Sequence, residues 1–442
     1  MIPVLGLYDF VLAFLYLFVI YVFALFYVRI KKKDNPEYNY FLWALSTKLF
    51  GGIFFALFSI YYYKGGDTLY YFEAANGWVE YILSDPLDNI KMLFSSEQLI
   101  DDYSFEYNYI YATSDGFTMA YNTILLAFLG LNNYLLTSIL FAFNSFLGLW
   151  FGYSNLCKLY PKSAKQLLIG FFFVPTAILW SSGILKDTIT QGIIGWMIYG
   201  ISNIFIFNRK KILSGFILII GAFILFKLKA YILYLLIPSF FIWIQSSSKE
   251  LIEGSFIRLI ILPILMSVLI ISGYFITISL SSEAGKYNLN NIDRTLEGFH
   301  SWHTHLAETQ DQSGYTLSKF DLTPLGLLKV APEALNVTYF RPYLTEVRNL
   351  PTLLGALEGI FLLCFLVYII LKLRMSLFYF LFKNKEALFM MVFGITFGFV
   401  VGISSYNFGA LSRYKIPAEM FFITSLILIY NDYLTEKRIK NS

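Results

Sequence analysis

The chain has 442 residues and a formal net charge of +4; 57% of its residues are hydrophobic, 20% are aromatic and 14% are charged. Because a soluble domain carries about a quarter charged residues, this composition excludes an ordinary soluble protein, and the small net charge gives no reason to expect a nucleic-acid partner. Apolar runs of about twenty residues recur along the whole length and predict an all-α, polytopic integral membrane protein.

The basic residues between the apolar runs predict the direction of each crossing, because Lys and Arg are enriched in short cytoplasmic loops. The first run ends in Lys31, Lys32 and Lys33, which places its end inside and the N-terminus outside. The second run, Tyr40–Tyr62, then crosses outward, with Lys48 near its inner end, where a lysine can snorkel.

Further spans complete a topology of about eleven transmembrane helices with a cytoplasmic C-terminus. Residues 123–131 are interpreted as a half-buried or re-entrant helix, because the basic segment KLYPKSAK after the next span has to lie inside. The segment KLKAY, at 227–231, falls at an outer turn against the charge rule. The remaining spans are predicted at residues 134–153, 167–180, 184–207, 212–226, 231–244, 256–280, 352–371, 387–406 and 416–430.

Two long polar stretches, 63–116 and 281–351, are predicted to be large extracytoplasmic loops of a single transmembrane domain that covers residues 1–442. The first stretch is strongly acidic, which suits the outer side of a membrane. Apolar residues between 78 and 83 predict a helix on the membrane surface. Short surface helices are therefore expected in these loops.

The first candidate site is Gly65-Gly66-Asp67, at the outer end of the second span. Glycines allow positive φ and a close approach of the backbone, so they can aim the Asp67 carboxylate back at the membrane surface. Tyr70 and Tyr71 follow and offer rings against which a sugar can stack. The alternative is an ordinary turn with a solvated aspartate.

The second candidate site is the segment WSSGILKD, in which Ser181-Ser182-Gly183 separates two apolar runs and Lys186-Asp187 begins the second of them. Ionisable groups at membrane depth are costly and usually pair with one another or serve a site. Lys186 is therefore a candidate ligand for a phosphate at the outer leaflet, with Asp187 orienting it. The alternative is a structural ion pair.

Further basic residues near the outer face lie at the end of the second loop and at a later outer turn. In YFRPYLTEVRN, Arg341 can bind a phosphate bidentately with Glu346 in support, or it can be an anchor at the lipid headgroups. In NFGALSRYKIP, Arg413 and Lys415 lie at an outer turn, where positive charge is disfavoured. Both are candidate ligands for a donor phosphate.

All three histidines of the chain lie in the segment HSWHTH, as His300, His303 and His305. Imidazole is a common metal ligand, so this cluster is a candidate site for a divalent metal or for an acceptor, with Trp302 as a stacking surface. The alternative is a polar loop that binds sugar hydroxyls or nothing. The chemistry expected of this protein requires no cofactor.

The acidic outer loop with Asp67, the WSSGILKD turn and the large outer loop with FRPYLTE resemble the polytopic glycosyltransferases and polysaccharide polymerases of bacterial envelopes, the GT-C-like or Wzy- and EpsG-like group. The resemblance implies a hexosyltransferase-like enzyme of the bacterial inner membrane. Such an enzyme takes sugar from a polyprenyl-phosphate-linked donor and passes it to a glycan acceptor at the extracytoplasmic face, among membrane lipids.

On this hypothesis Asp67 is the general base, and the product is an exopolysaccharide or an O-antigen. Two other functions stay open at this point. One is a flippase or transporter of a lipid-linked oligosaccharide. The other is an O-antigen-ligase-like transferase or acyltransferase, in which the histidine cluster supplies the base.

Overall fold

The computed structural model describes residues 5–90, 114–247, 314–320 and 323–441. Of these residues 86% are helical and none forms a strand, which confirms the all-α prediction. The helices are α1 (Leu7–Lys31), α2 (Phe41–Phe58), α3 (Asp67–Ser84), α4 (Pro86–Asn89), α5 (Ser114–Leu129), α6 (Tyr134–Leu159), α7 (Ala164–Phe172), α8 (Pro175–Trp180), α9 (Lys186–Ile201), α10 (Lys211–Ser247), α11 (Pro324–Phe340), α12 (Leu350–Leu373), α13 (Ser376–Lys383), α14 (Lys385–Ser404), α15 (Phe408–Tyr414) and α16 (Ile416–Asn441).

Within the described part of the chain, seven helical segments are long and apolar enough to cross a membrane, which supports a multi-pass membrane protein. They are Leu7–Lys31, Pro36–Tyr63, Tyr134–Leu159, Lys186–Ile206, Lys211–Gln245, Leu350–Leu373 and Lys385–Ser404. The predicted count of about eleven is not confirmed. The predicted span 256–280 lies outside the described residues, and the predicted span 416–430 forms part of α16 but is not among the seven segments.

The predicted span 167–180 is not one continuous helix, because it is divided between the short helices α7 and α8. Hydropathy reports burial and does not show where the backbone hydrogen-bond ladder is interrupted. The predicted break between the runs 212–226 and 231–244 corresponds to a kink in α10. At Lys229 the backbone leaves helical geometry, with φ −153° and ψ 71°, so α10 consists of two helices that meet within the segment KLKAY.

The contacts divide the chain into two compact units, which are described separately below. Unit 1 comprises Met1–Leu168, Ala177–Ile204 and Arg209–Ala230, and unit 2 comprises Ile169–Thr176, Phe205–Asn208 and Tyr231–Ser442.

In unit 1, helix α6 packs closely against α9 through glycines. A Cβ atom built on Gly148 would lie 2.0 Å from the carbonyl oxygen of Gly192, and one built on Gly195 would lie 2.4 Å from the backbone of Gly148. Helices inside a membrane gain little from the hydrophobic effect, so small residues that let backbones approach are a main source of their packing. The glycines thus allow the close contact that holds α9, and with it Lys186, against α6.

We expect Gly148→Ala to lower the stability of the protein in detergent by about 2 kcal/mol or more, because the added methyl group collides with backbone that cannot move aside. Gly215→Ala in α10 is the matched control, because a Cβ atom there meets nothing within 4 Å and alanine is the better helix former. Thermal unfolding of both variants measures the difference. Equal melting temperatures would contradict this account of the α6–α9 contact.

In unit 2, helix α14 presents a similar row of glycines to α11. The hydroxyl of Tyr339 donates to the carbonyl of Gly394 at 2.6 Å, and the hydroxyl of Thr338 donates to the carbonyl of Gly398 at 2.6 Å. A Cβ atom on Gly402 would lie 2.3 Å from a backbone oxygen of α11. The row therefore fixes α11, which ends immediately before Arg341.

Candidate functional site

The turn before Asp67 has the geometry that its glycines predict. Helix α2 continues into a π-helical turn, Ser59–Tyr63, and Lys64 then adopts a left-handed conformation with φ 52°. Gly66 has φ 104° and ψ 172°, a region that residues with a side chain rarely adopt. A Cβ atom on Gly66 would meet nothing within 4 Å, so glycine is required here by its backbone conformation and not by lack of space.

This turn presents Asp67 as the first residue of α3, with an exposed side chain. A carboxylate at this end of a helix is favoured by the orientation of the backbone dipoles. The apolar residues Trp78, Val79 and Ile82, which were expected on a surface helix, are buried, and α3 packs against α5. Asp67 therefore lies at the end of a helix that is fixed by its own apolar face.

The structure brings the segments around Asp67 and Lys186 together within unit 1. The Lys186 Nζ atom lies 5.6 Å from the centre of the Tyr71 ring, a distance typical of a cation–π contact. Tyr71 follows Asp67 by one helical turn, about 6 Å along the axis, and residues four apart lie on one face of a helix. Tyr70, the other predicted stacking residue, is 43% exposed.

A buried lysine, Lys48 of α2, holds the break that precedes Lys186. Its Nζ atom donates to the carbonyl oxygen of Ser181 and, at 2.9 Å, to the Ser181 hydroxyl, just after α8 ends. The side chain is only 2% exposed, so the expectation that Lys48 snorkels to the inner surface is wrong. Next to it, a Cβ atom on Gly183 would lie 1.9 Å from the ring of Phe55, which explains the glycine at the break.

Asp187 forms an ion pair with Lys229, with 2.5 Å between Lys229 Nζ and Asp187 Oδ1. Both side chains are buried, with exposed fractions of 5% for Asp187 and 9% for Lys229. This pair gives Lys229 a partner inside the protein, so its charge does not report the topology of the predicted outer turn KLKAY. Asp187 was expected to orient Lys186. The contact observed is with Lys229, and this ion pair holds the start of α9.

In unit 2, Arg341 is held by Glu346 and by aromatic rings. Its Nε atom donates to Glu346 Oε2 at 3.1 Å and its Nη2 atom donates to the other carboxylate oxygen. The guanidinium carbon lies 5.4 to 5.8 Å from the ring centres of Phe408, Tyr343 and Tyr315. A guanidinium that is stacked and paired in this way is rigid, and Glu346 already occupies the Nε–Nη2 edge with which an arginine binds a phosphate bidentately.

The Arg341–Glu346 pair predicts a pH dependence. Burial by itself raises the pKa of the Glu346 carboxyl, but hydrogen bonds from Arg341 and from the backbone N–H of Tyr343 outweigh burial and hold that pKa below its usual value. Burial lowers the pKa of the Arg341 guanidinium, and Glu346 more than compensates by raising it.

Because the folded pKa of Glu346 is depressed, the stabilisation is complete above the unfolded pKa and is lost as the pH falls through the folded pKa. For a partly exposed pair we expect about 1 kcal/mol. Unfolding of Glu346→Gln should therefore differ from that of the unmodified protein at pH 7, and the two should converge as the pH falls through and below the depressed pKa of Glu346. A constant difference across this range would show that the carboxylate charge contributes nothing.

Lys415 is buried in an ion cluster of unit 2 and does not face solvent. Its Nζ atom lies 2.6 Å from Glu419 Oε1 and 3.3 Å from Glu358 Oε1, and its side chain is 1% exposed. Thr176 donates its backbone N–H to Glu358 Oε2 at 2.9 Å and its hydroxyl to Glu358 Oε1 at 2.8 Å. We therefore leave Lys415 out of the proposed site, because its ammonium already neutralises buried carboxylates.

The predicted site residues are thus distributed over both units. Unit 1 contains Asp67, Tyr70, Tyr71, Lys186 and Asp187, and unit 2 contains Arg341, Glu346, Arg413 and Lys415. Arg413 lies half-buried in the last turn of α15, the helix whose Phe408 contacts Arg341. Lys48 and Lys229 were not predicted to hold other residues in place. Their position within strongly apolar runs could have indicated that each has a buried partner.

The predicted metal or acceptor residues His300, His303 and His305 lie outside the described residues, as does Trp302. Among the residues that the structure describes, no group of three His, Cys, Asp or Glu side chains could hold a metal ion, so the metal stays a prediction about the histidine segment alone. No protein-family model, no curated protein and no solved structure matches this chain.

Proposed function

We propose that the protein is a membrane glycosyltransferase that transfers sugar from a polyprenyl-phosphate-linked donor to a glycan hydroxyl at the extracytoplasmic face of a bacterial inner membrane. A single observation carries the proposal. The exposed Asp67 carboxylate and the Lys186 ammonium belong to one unit. Tyr71 connects them, because it follows Asp67 by one helical turn and the centre of its ring lies 5.6 Å from Lys186 Nζ.

The proposed reaction uses these two groups in different roles. Asp67 accepts the proton of the acceptor hydroxyl as that oxygen attacks the anomeric carbon of the donor. The bond from the anomeric carbon to the phosphate oxygen breaks, and the leaving phosphate keeps the electron pair. Lys186 stabilises the charge that develops on this phosphate, and the products are the new glycoside and the polyprenyl phosphate carrier.

The supporting residues have separate tasks. Lys48 and the Asp187–Lys229 pair hold the start of α9 and thereby position Lys186. Tyr70, which is exposed, supplies an aromatic surface for a sugar ring. Arg341 and Arg413 of unit 2 are predicted from the sequence to bind the donor phosphate or pyrophosphate, and this role stays a prediction.

We expect Lys186→Gln to reduce sugar transfer about a hundredfold, because one preorganised cation at a developing negative charge contributes roughly this much. Lys186→Arg should retain part of the activity, since the charge is kept. Lys64→Gln is the matched control, because it removes an exposed lysine three residues before Asp67. Surface polysaccharide measured at equal protein abundance provides the readout. Full activity in Lys186→Gln would remove Lys186 from the donor site.

A flippase or transporter for lipid-linked oligosaccharide is the second candidate function. It is favoured by ionisable groups buried within membrane-spanning helices, such as Glu358 in α12 and Asp187 in α9, because charges at membrane depth often belong to transport pathways. Reconstitution in vesicles separates the two functions. Movement of a labelled lipid-linked sugar without a new glycosidic bond would support the transporter, and bond formation would support the transferase.

A further inference from the structure

A cluster of cations lies in unit 1 beyond the residues used above, where α6 ends and α10 begins. Lys158 lies in the last turn of α6, and Arg209 and Lys210 precede Lys211, the first residue of α10. All of these cations are exposed. Their positions at the ends of two apolar helices put them at the depth where lipid phosphates and soluble anions meet a membrane protein.

Two buried asparagines bring these cations together. The Asn155 Oδ1 atom accepts from Arg209 Nη2 at 3.1 Å and from Lys158 Nζ at 3.3 Å. The Asn203 Oδ1 atom accepts from Arg209 Nε at 2.9 Å, and the Arg209 backbone N–H donates to the Asn203 carbonyl at 2.8 Å. Because Asn155 and Asn203 are each at most 1% exposed, the cations are anchored to a rigid scaffold.

The cations gather around neutral oxygens although they repel one another. Lys210 Nζ donates to the phenol oxygen of Tyr199 at 3.3 Å. The positive charges of Arg209 and Lys210 repel the Lys158 ammonium. The Glu37 carboxylate attracts the Lys158 ammonium. Glu37 is only 4% exposed, however, and its carboxylate accepts a hydrogen bond from the Ser154 hydroxyl at 2.7 Å. The amide oxygen that Lys158 contacts and the phenol oxygen that Lys210 contacts carry no charge, so an external anion would relieve the repulsion.

A buried donor of the same cluster has no partner among the described residues. The Nε atom of arginine is always a donor, so the Asn203 atom that faces it must be the oxygen. The amide nitrogen of Asn203 is then a donor, and it has no hydrogen-bond partner in the described chain. An unmet donor costs free energy inside a protein, and an oxygen of a bound anion would satisfy it.

The backbone of the turn is also held in an uncommon conformation. Asn208 and Lys210 have φ values of 51° and 48°, and a lysine in the left-handed region costs about 1 kcal/mol relative to glycine. The turn therefore carries a lysine where glycine would suit the backbone better. The conformation directs the Lys210 ammonium towards the Tyr199 hydroxyl, beside the other cations.

We propose that Lys158, Arg209 and Lys210 bind a phosphate group, with the Asn203 amide as an additional donor. The planar guanidinium of Arg209 and two ammonium groups match the several oxygens of a phosphate better than those of a carboxylate. The phosphate comes either from an anionic lipid headgroup or from a soluble phosphate compound. The site lies on the side that the charge pattern predicts to be cytoplasmic, and it does not depend on the proposed transferase reaction.

The test is thermal unfolding of the full chain in detergent micelles with added phosphatidylglycerol, with added phosphatidylcholine, or with inorganic pyrophosphate. We expect phosphatidylglycerol or pyrophosphate to raise the melting temperature, and phosphatidylcholine to have no effect. The double variant Lys158→Gln/Lys210→Gln should need at least tenfold more of the same probe, since two charge-assisted hydrogen bonds are lost. The control Lys33→Gln/Lys165→Gln removes two exposed lysines and should respond like the unmodified protein.

Asn203→Asp tests the site without removing a cation. The new carboxylate should pair with Arg209 and replace the ligand, so the variant should unfold at or above the usual temperature but show no response to either probe. A response only to phosphatidylglycerol would identify a lipid headgroup, and a response only to pyrophosphate a soluble phosphate. No response in the unmodified protein, or an equal response in the double variant, would overturn the proposal.

Discussion

Replacing Asp67 by Asn is expected to reduce sugar transfer by about a hundredfold to ten-thousandfold, because an amide cannot accept the proton of the acceptor hydroxyl. The side chain is exposed at the first residue of α3, so the variant should fold and reach the membrane at the usual level. Surface polysaccharide and transfer to a labelled acceptor, both normalised to protein abundance, are the measurements.

Two further variants make the Asp67 result specific. Asp67→Glu keeps a carboxylate and should recover part of the activity, whereas Asp85→Asn removes an exposed acid at the other end of α3 and should have no effect. Surface polysaccharide at the normal level in Asp67→Asn would exclude Asp67 from the mechanism. If transfer instead depended on the histidines at 300–305 while Asp67→Asn stayed active, a ligase-like transferase would be favoured.

Replacing Lys415 by Met is expected to destabilise unit 2 by about 3 to 5 kcal/mol, because it leaves buried carboxylates without their cation. The relevant distances are 2.6 Å to Glu419 and 3.3 Å to Glu358. Thermal or denaturant unfolding in detergent gives the difference. The control is Lys383→Met, because Lys383 pairs with Glu436 at 3.2 Å on the surface and is 54% exposed, so its loss should change stability by less than about 1 kcal/mol.

A compensating variant distinguishes lost charge from lost packing in this cluster. Lys415→Met/Glu358→Gln/Glu419→Gln removes the lysine together with both negative charges, and it should recover most of the stability, since neutral groups of similar shape replace a buried ion cluster at little cost. If the triple variant is no more stable than Lys415→Met alone, packing of the lysine side chain and not its charge stabilises this region.

The helical membrane-protein class was predictable because its cause is local. A segment that spans a lipid bilayer has to satisfy its own backbone hydrogen bonds and cover them with apolar side chains, and a window of about twenty residues contains that information. The positions of α1, α2, α6, α12 and α14 follow the predicted runs closely.

What the sequence missed concerns residues whose partners are distant in the chain. The backbone break predicted around Lys229 is present, but the ion pair of Lys229 with Asp187, which lies 42 positions earlier, was not predicted. Lys48 looked like a snorkelling lysine, yet it donates to Ser181, which lies 133 positions later. A charge inside an apolar run indicates that a partner exists, but the sequence does not show which residue that partner is.

The sequence alone determined the helical class, the membrane character and the glycine turn before Asp67, because length, hydropathy and backbone freedom are properties of short segments. Only the tertiary structure decided that Tyr71 contacts Lys186, that Lys415 is neutralised by two glutamates, and that Asn155 and Asn203 gather the cations near α10. These arrangements depend on which helices pack together. In a membrane that choice is made by close contacts between small residues and by buried polar pairs far apart in the chain, and neither is visible in a local pattern.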